Sequence, residues 1–145
     1  MNDWTTNWKQ FGEEVQSSLS EGESINSIAI EIGAQRVKWI GLLSEKDLDP
    51  NAPMIVIEME PYSLKLQDGK HALLPNLVIP LQDDAVSEWV DVPIGAQVVF
   101  TATFAESQSF LPPIRLTILN SGRAIVSLRL IDGHYVSNLE VPENT

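Results

Sequence analysis

The chain has 145 residues, enough for one domain with a substantial core, and its 43% hydrophobic and 20% charged residues are typical of a folded protein without long disorder. Twenty acidic against nine basic side chains give a formal net charge of −11, which disfavours nucleic acid as a partner because it repels polyanions. The absence of cysteine excludes disulfides and thiolate chemistry, and without a signal-peptide pattern or a run of ~18 apolar residues we expect a cytoplasmic protein that does not enter a membrane.

The N-terminal segment has the apolar spacing of an amphipathic helix, so we predict a helix over residues 3–19 with Asp3 as its N-cap. Two interpretations of its apolar face stay open. Either the face packs on its own domain, or Trp4 and Trp8 bind a protein partner or a second copy of the chain. The face consists of Trp4, Trp8, Phe11, Val15 and Leu19.

After a polar linker at residues 20–24, the apolar period changes from 3.6 to 2. The alternation through residues 28–41 predicts two strands, or one bent strand, around Gly33. Residues 44–53 contain the proline and Asx residues that are typical of a loop. Asp68-Gly69 then separates two β-rich runs, which indicates a hairpin.

A short helix is predicted at residues 83–89, and a strand follows it that runs to Phe104. This strand begins at the second copy of the motif IGAQ, which occurs at residues 32–35 and 94–97. We interpret the motif as a glycine-led turn before a strand, with no chemistry of its own.

In the last third of the chain, β-rich runs separated by turn-forming residues predict short strands with turns at residues 120–122 and at Asp132-Gly133. Short strands separated by turns, without repeated strand-helix alternation, favour an antiparallel barrel or sandwich over a βαβ fold. We expect an N-terminal helix and linker at residues 1–24, one β-barrel domain at residues 25–141 and a polar tail at residues 142–145.

Two predicted strands resemble those of an OB-fold barrel, a small antiparallel β-barrel with a short helix before its fourth strand. The resemblance implies a β-rich α+β fold to which the N-terminal amphipathic helix is an addition. It also implies that a ligand would contact the exposed sheet face and two flanking loops, residues 44–53 and 105–113. The matching positions are Gly33, Val37, Trp39 and Gly41 in the first strand and Gly95, Val98, Phe100, Ala102 and Phe104 in the second.

One acidic stretch partly matches the spacing of a calcium-binding loop, in which side-chain oxygens surround a hard cation. Ala52 replaces the glycine that such a loop needs for its sharp turn, and the flanking segments are predicted strands. The favoured alternative is a polar turn in which Asx side chains bond to nearby backbone groups. The candidate ligands are Asp47, Asp49, Asn51 and Glu58.

His71 and His134 are the only histidines, and each follows a glycine-containing turn where surface histidine is common. The sequence contains no phosphate loop, dinucleotide fingerprint or serine-nucleophile motif. We therefore expect no catalytic residues and no cofactor. A small enzyme with a site that the sequence does not reveal remains an alternative.

A second candidate partner contact is an apolar loop, which either binds a partner or folds over the barrel mouth. The leading hypothesis is a non-catalytic domain that binds a protein or a small ligand through the barrel face and loops. The apolar loop that forms this second candidate contact consists of Phe110, Leu111, Pro112 and Pro113.

The other alternative is a protein that binds single-stranded nucleic acid. This function would require the later basic residues to gather on one face beside aromatic side chains. Trp39 does not serve as such a platform, because period 2 puts it on the core face of its strand. The basic residues concerned are Arg36, Lys38, Arg115, Arg123 and Arg129.

Overall fold

The main sheet is antiparallel, with the strand order β5-β2-β1-β6-β9. The structure is a computed structural model, and it describes residues 4–66, 69–106, 112–121 and 123–138. Strands β3 and β4 form a separate hairpin, and so do β7 and β8. In chain order the strands are β1 (Arg36–Asp47), β2 (Met54–Glu58), β3 (Ser63–Lys65), β4 (His71–Leu73), β5 (Leu77–Pro80), β6 (Gln97–Phe104), β7 (Ile114–Ile118), β8 (Ala124–Leu128) and β9 (Leu130–Asn138).

The main sheet curls until its two edge strands approach each other. A Cβ atom built at Gly133 of β9 would lie 2.9 Å from Ile79 of β5, although no strand pairing joins β5 to β9 in the described part of the chain. The arrangement is an OB-like antiparallel sheet that stops short of a closed barrel. The predicted β-rich α+β fold is confirmed.

Alternation along the central strands places the core inside the curl, as predicted. Trp39 of β1 lies opposite Phe100 of β6, and both side chains are essentially fully buried. A short 3-10 turn at Asp83–Ala85 leads into α3 (Val86–Trp89) before β6, where the short helix was predicted. Its Trp89 is buried in the same core.

The N-terminal helix α1 (Trp8–Ser20) begins later than predicted. Its N-cap is Asn7, whose side chain accepts a hydrogen bond from the backbone N–H of Gln10 at 3.1 Å, and Trp4–Thr6 form a 3-10 turn before it. Asp3 lies outside the described residues. The predicted apolar face is confirmed, and four of its side chains are buried against the barrel: Trp8, Phe11, Val15 and Leu19.

The strand predicted at residues 28–32 is wrong, because this segment is the helix α2 (Ile25–Ile32). Ser24, assigned to the linker, is its N-cap and accepts a hydrogen bond from the N–H of Ser27 at 3.1 Å. Isoleucine at every second position imitated a strand, but only Ile28 and Ile32 face the core, whereas Ile30 is 72% exposed. The spacing of four residues between the buried pair is helical.

The turn predicted at Asp132-Gly133 is also wrong, because β9 continues through both residues. The pairing of β9 with β6 shifts register there, and Asp132 has a φ of 57°. This is a β-bulge, a local irregularity that uses the same residue types as a turn. The hairpins predicted at Asp68-Gly69 and at residues 120–122 are confirmed by the β3–β4 and β7–β8 pairings.

The two copies of IGAQ adopt different structures. In the first copy Ile32 ends α2, and the left-handed residue is Ala34, with a φ of 64°. In the second copy Gly95 is left-handed, with a φ of 94°, and β6 begins at Gln97. Only the second copy is the predicted glycine-led turn.

Candidate functional site

The charges of this chain are strongly segregated along the sequence. The segments 61–81 and 107–131, which contain the two hairpins, hold five of the nine basic residues and only one of the twenty acidic residues, Asp68. These segments therefore carry a formal charge of +4, and the remainder of the chain carries −15. The net charge of the whole chain, −11, is therefore opposite in sign to the charge of the segments that contain the hairpins.

The outer face of the β7–β8 hairpin carries basic, polar and apolar side chains. Ile114 and Val126 are buried, and the alternating residues turn outward. Arg115 is exposed and lies opposite Ser127 across the pair, and the exposed Arg123 comes directly before β8. Ile125, which is 44% exposed, shares this outer face.

The β3–β4 hairpin has the same construction. Leu64 and Ala72 are buried on its inner face. Lys65 lies opposite His71 on the outer face, where both side chains are exposed. Leu73, also on this face, is 63% exposed.

Helix α1 fixes the position of this hairpin. The side-chain amide of Gln16 accepts a hydrogen bond from the backbone N–H of Lys65 at 2.6 Å and donates one to its carbonyl at 2.9 Å, as a neighbouring strand would. The ring of Tyr62 lies directly over Gly12. Burial, with a further contribution from the charge of Glu13, raises the pKa of Tyr62 above its ordinary value. The first hairpin is therefore held at a fixed place on the barrel.

The two hairpins lie side by side, with β4 next to β8 and a groove of about 540 Å³ between them. His71 and Leu73 line one wall of the groove, and Arg123 and Ile125 line the other. We call the outer faces of the two hairpins the basic hairpin surface. It comprises Lys65, His71, Leu73, Arg115, Arg123 and Ile125.

The remaining basic candidates lie elsewhere. Arg36 and Lys38 are on the outer face of β1 in the main sheet, where Arg36 donates a hydrogen bond to the hydroxyl of Thr101 at 3.1 Å. The guanidinium of Arg129 donates to the carbonyl of Glu106 at 3.4 Å. The five residues of the nucleic-acid alternative are thus divided, since Arg36 and Lys38 lie on the main sheet whereas Arg115 and Arg123 lie on the β7–β8 hairpin.

The exposed ring of His71 is the one side-chain ring in the four strands of the basic hairpin surface on which a base could stack. Strands β3, β4, β7 and β8 contain no Phe, Tyr or Trp. Trp39 is 1% exposed, as expected of a core residue. The chemistry of this surface is therefore that of cationic and apolar side chains.

The structure does not assemble the calcium-loop pattern. Asp47 accepts a hydrogen bond from the N–H of Asp49 at 3.1 Å, and Asp49 accepts one from the N–H of Asn51 at 3.0 Å. These are the backbone turns of the alternative interpretation. Glu58 ends β2, about 13 Å from the loop at ~3.3 Å per residue. Among the described residues no three His, Asp or Glu side chains come together as a metal site.

The histidines occupy different surroundings. His71 is exposed in the groove, and its Nδ1 lies 3.4 Å from the hydroxyl of Ser63. His134 is half-buried, with its Nδ1 3.2 Å from a carboxylate oxygen of Glu88. Glu88 also accepts a hydrogen bond from the backbone N–H of Tyr135 at 3.0 Å. The carboxylate thus binds an edge of β9, which is a structural role.

The predicted partner contacts lie mainly against the chain itself. Trp8 is 7% exposed and donates from its indole to the carbonyl of Glu60 at 2.7 Å. Trp4 is half-buried, and its carbonyl accepts a hydrogen bond from the indole of Trp39 at 2.9 Å. A partner could reach Trp8 only if α1 left the barrel, so this contact stays a prediction.

Only half of the second predicted partner contact, the apolar loop at residues 110–113, lies within the described residues. Phe110 and Leu111 lie outside the described residues. Pro112 is half-buried and Pro113 is buried, with the carbonyl of Pro113 accepting a hydrogen bond from the N–H of Arg129 at 2.8 Å. The described half of this loop packs on its own domain.

Comparison with known proteins finds structural likeness but no similar sequence. No family model and no curated protein sequence matches the chain. Among solved structures, the crystal structure of the mitochondrial single-stranded DNA binding protein Rim1 from S. cerevisiae is similar at a TM-score of 0.42 and 15% identity. The likeness covers 73% of this chain and 98% of that chain.

The segregation of charge corrects the expectation, drawn from the net charge, that nucleic acid is disfavoured as a partner. The similar chain is itself a single-stranded DNA binding protein. A net charge of −11 coexists with hairpins of opposite sign, so the net charge alone does not decide which polyions this chain attracts. One signal of this segregation was present in the sequence, which has no acidic residue from 107 to 131.

Every helix in the described part of the chain falls short of the length and apolarity that a membrane span requires.

Proposed function

We propose that this chain is a non-catalytic domain that binds single-stranded nucleic acid through the basic hairpin surface. The observation that carries the proposal is the formal charge of +3 on the two hairpins, where residues 63–73 carry +1 and residues 114–128 carry +2, in an otherwise acidic chain. Cationic side chains that neutralise phosphates release counterions, and this release drives much of nucleic-acid binding. The acidic remainder of the chain would orient a polyanion towards the hairpins.

The roles of the side chains follow from their chemistry. Arg115, Arg123 and Lys65 are exposed and bind phosphate oxygens, with arginine capable of two parallel hydrogen bonds. Leu73 and Ile125 form apolar walls of the groove and contact the faces of unstacked bases. Since a duplex hides those faces, the groove favours a single strand.

The scarcity of aromatic rings on the four hairpin strands determines the kind of binding. Stacking on aromatic rings contributes about 1–3 kcal/mol per base in other single-strand binders, and the four hairpin strands offer only the ring of His71 for it. Binding here rests mainly on phosphate contacts, so it should depend steeply on salt and little on base sequence.

Fluorescence anisotropy with a labelled single-stranded oligonucleotide tests the proposal. We expect binding at about 50 mM salt that weakens as salt increases. The double variant Arg115→Ser/Arg123→Ser should bind more weakly and should reduce the slope of log K against log salt by about 1.4, at ~0.7 per phosphate contact for single strands.

Lys9→Ser/Lys38→Ser is the matched control, because it removes two exposed cations outside the basic hairpin surface. It changes the net charge equally and should retain more of the binding. No binding of the native chain at about 50 mM salt would exclude the proposal. An equal loss in both double variants would exclude the hairpins as the specific site.

A further inference from the structure

The groove between the two hairpins concentrates exposed apolar side chains. Nine large apolar side chains are exposed among the described residues, and three of them line this groove. These three are Leu73, Leu119 and Ile125, which come from both hairpins. Apolar side chains that gather in this way mark a binding site, whereas single ones scattered over a surface do not. The part of a ligand that enters the groove therefore has an apolar face.

The size of the groove suits one nucleotide. At about 30 Å³ for each water-sized group, its volume of about 540 Å³ accommodates roughly 18 non-hydrogen atoms. A base with its sugar and phosphate has a comparable size, whereas a run of stacked bases is larger. The groove therefore has room for one base of a strand whose neighbouring bases lie outside it.

His71 supplies the ring on which such a base can stack. It lines the wall formed by β4, beside Leu73, and its Nδ1 lies 3.4 Å from the hydroxyl of Ser63 on β3. Histidine is among the side chains on which proteins stack unpaired bases. The described lining of the groove contains no Phe, Tyr or Trp. A base in the groove therefore has one ring to stack on and aliphatic side chains to pack against.

The charges around the groove favour a phosphate at its edge. Arg123 is exposed and lines the wall opposite His71, and none of the described lining residues is acidic. Lys65 lies opposite His71 across the β3–β4 pair, which places a second cation on the same outer face. A nucleotide combines an apolar base face with a negative phosphate, so the side chains of the groove complement both of its parts.

We propose that the groove holds one unstacked base of the bound strand, with the imidazole of His71 stacked on its face and the guanidinium of Arg123 on the adjoining phosphate. Leu73, Leu119 and Ile125 contact the rest of the base. The inference rests on the proposed function and assigns the position on the basic hairpin surface where a base is bound in addition to the backbone. Since every base has a π-face, this contact adds affinity without selecting one base.

Fluorescence anisotropy with two labelled single strands tests the inference, one of ordinary sequence and one abasic, which keeps every phosphate but lacks the bases. The native chain should bind the ordinary strand at least about fivefold more tightly, the lower end of the range for stacking of one base. His71→Ser should reduce this ratio to about twofold or less, because only aliphatic contacts to the base then remain.

Two further variants of His71 separate the ring from a charge. His71→Phe keeps a ring and should retain the ratio of the two affinities. His71→Lys replaces the ring by a cation, so it should tighten binding of both strands and still lose the ratio. His134→Ser is the matched control, because it removes the other histidine, which is not among the residues that line the groove. It should leave the ratio as it is in the native chain.

Two results would overturn the inference and leave the proposed function standing. One is equal binding of the two strands by the native chain, which would mean that phosphate contacts act alone. The other is a ratio that His71→Ser leaves unchanged, which would place the base contact elsewhere. An absence of binding of either strand at about 50 mM salt would instead exclude the proposed function, and the inference with it.

Discussion

Lys46 shows how a single charged side chain is used in the structure. It lies on β1 in the stretch that follows the bulge, and its ammonium group donates hydrogen bonds to the carbonyls of Trp89, Val90 and Val92 at 3.2, 2.8 and 2.8 Å. Trp89 is the last residue of α3, and Val90 and Val92 belong to the turn that follows it. Carbonyls at and beyond a helix end lack donors from the helix itself. Lys46 therefore ties the short helix to the sheet that it covers.

Replacing Lys46 by methionine should lower the free energy of unfolding by about 2 kcal/mol, in the range of hydrogen bonds to charged groups. The apolar stem is kept, so the loss reports the three hydrogen bonds. Lys38→Met removes an exposed lysine of the same strand and should change stability by no more than ~0.5 kcal/mol. Urea unfolding of the two variants measures the difference, and equal stabilities would show that the bonds to α3 contribute nothing.

At the level of elements, the segment that holds α2 shows why periodicity alone is ambiguous. Ile28, Ile30 and Ile32 satisfy a period of 2, and Ile28 with Ile32 also satisfies a helical spacing of four. β-branched residues favour a strand locally. The helix prevails because Ser24 caps it and because packing of Ile28, Ala29 and Ile32 on the core compensates for the exposed Ile30.

Two lysine substitutions distinguish the helix from the predicted strand. Ile30→Lys should change stability by no more than ~0.5 kcal/mol, since the site is exposed and lysine is a good helix former. Ile28→Lys should cost more than ~3 kcal/mol, because it buries an unpaired charge. Thermal unfolding of both variants measures this, and two large losses would indicate a strand with both side chains on its inner face.

The difference between local sequence signals and tertiary contacts explains which elements the sequence could predict. Strand β6 alternates cleanly because Val98, Phe100 and Phe104 all face one core, and its prediction is confirmed. The bulge at Asp132 uses turn-forming residues inside a continuous strand, which only its pairing with β6 identifies. Local signals thus predicted elements with one buried face, and tertiary contacts decided the others.

Over the whole molecule, the candidate sites depend on contacts between distant segments. The groove of the basic hairpin surface joins residues 71–76 to residues 119–126. Its basic side chains could be counted in the sequence, but their neighbours could not be known before β4 was found beside β8.

The core of the barrel includes the N-terminal helix. Phe11 is stacked on Phe104 at a centroid distance of 5.5 Å and lies 5.2 Å from Trp39. Trp8 meets Trp39 edge to face at 5.0 Å. Removing α1 would expose Trp39 and Phe104, the large side chains at this end of the barrel, and would also remove the support of the β3–β4 hairpin.

A chain that lacks residues 1–24 should therefore lose cooperative unfolding, although those residues were predicted to be an addition to the barrel. The point variant Phe11→Ala gives a graded measure of the same contact and should cost about 3–5 kcal/mol, whereas Lys9→Ala on the exposed side of α1 should cost no more than ~0.5 kcal/mol. Denaturant unfolding followed by near-UV circular dichroism measures all three. A truncated chain that still unfolds in one sharp transition would mean that residues 25–141 form a complete domain, with α1 only resting on its surface.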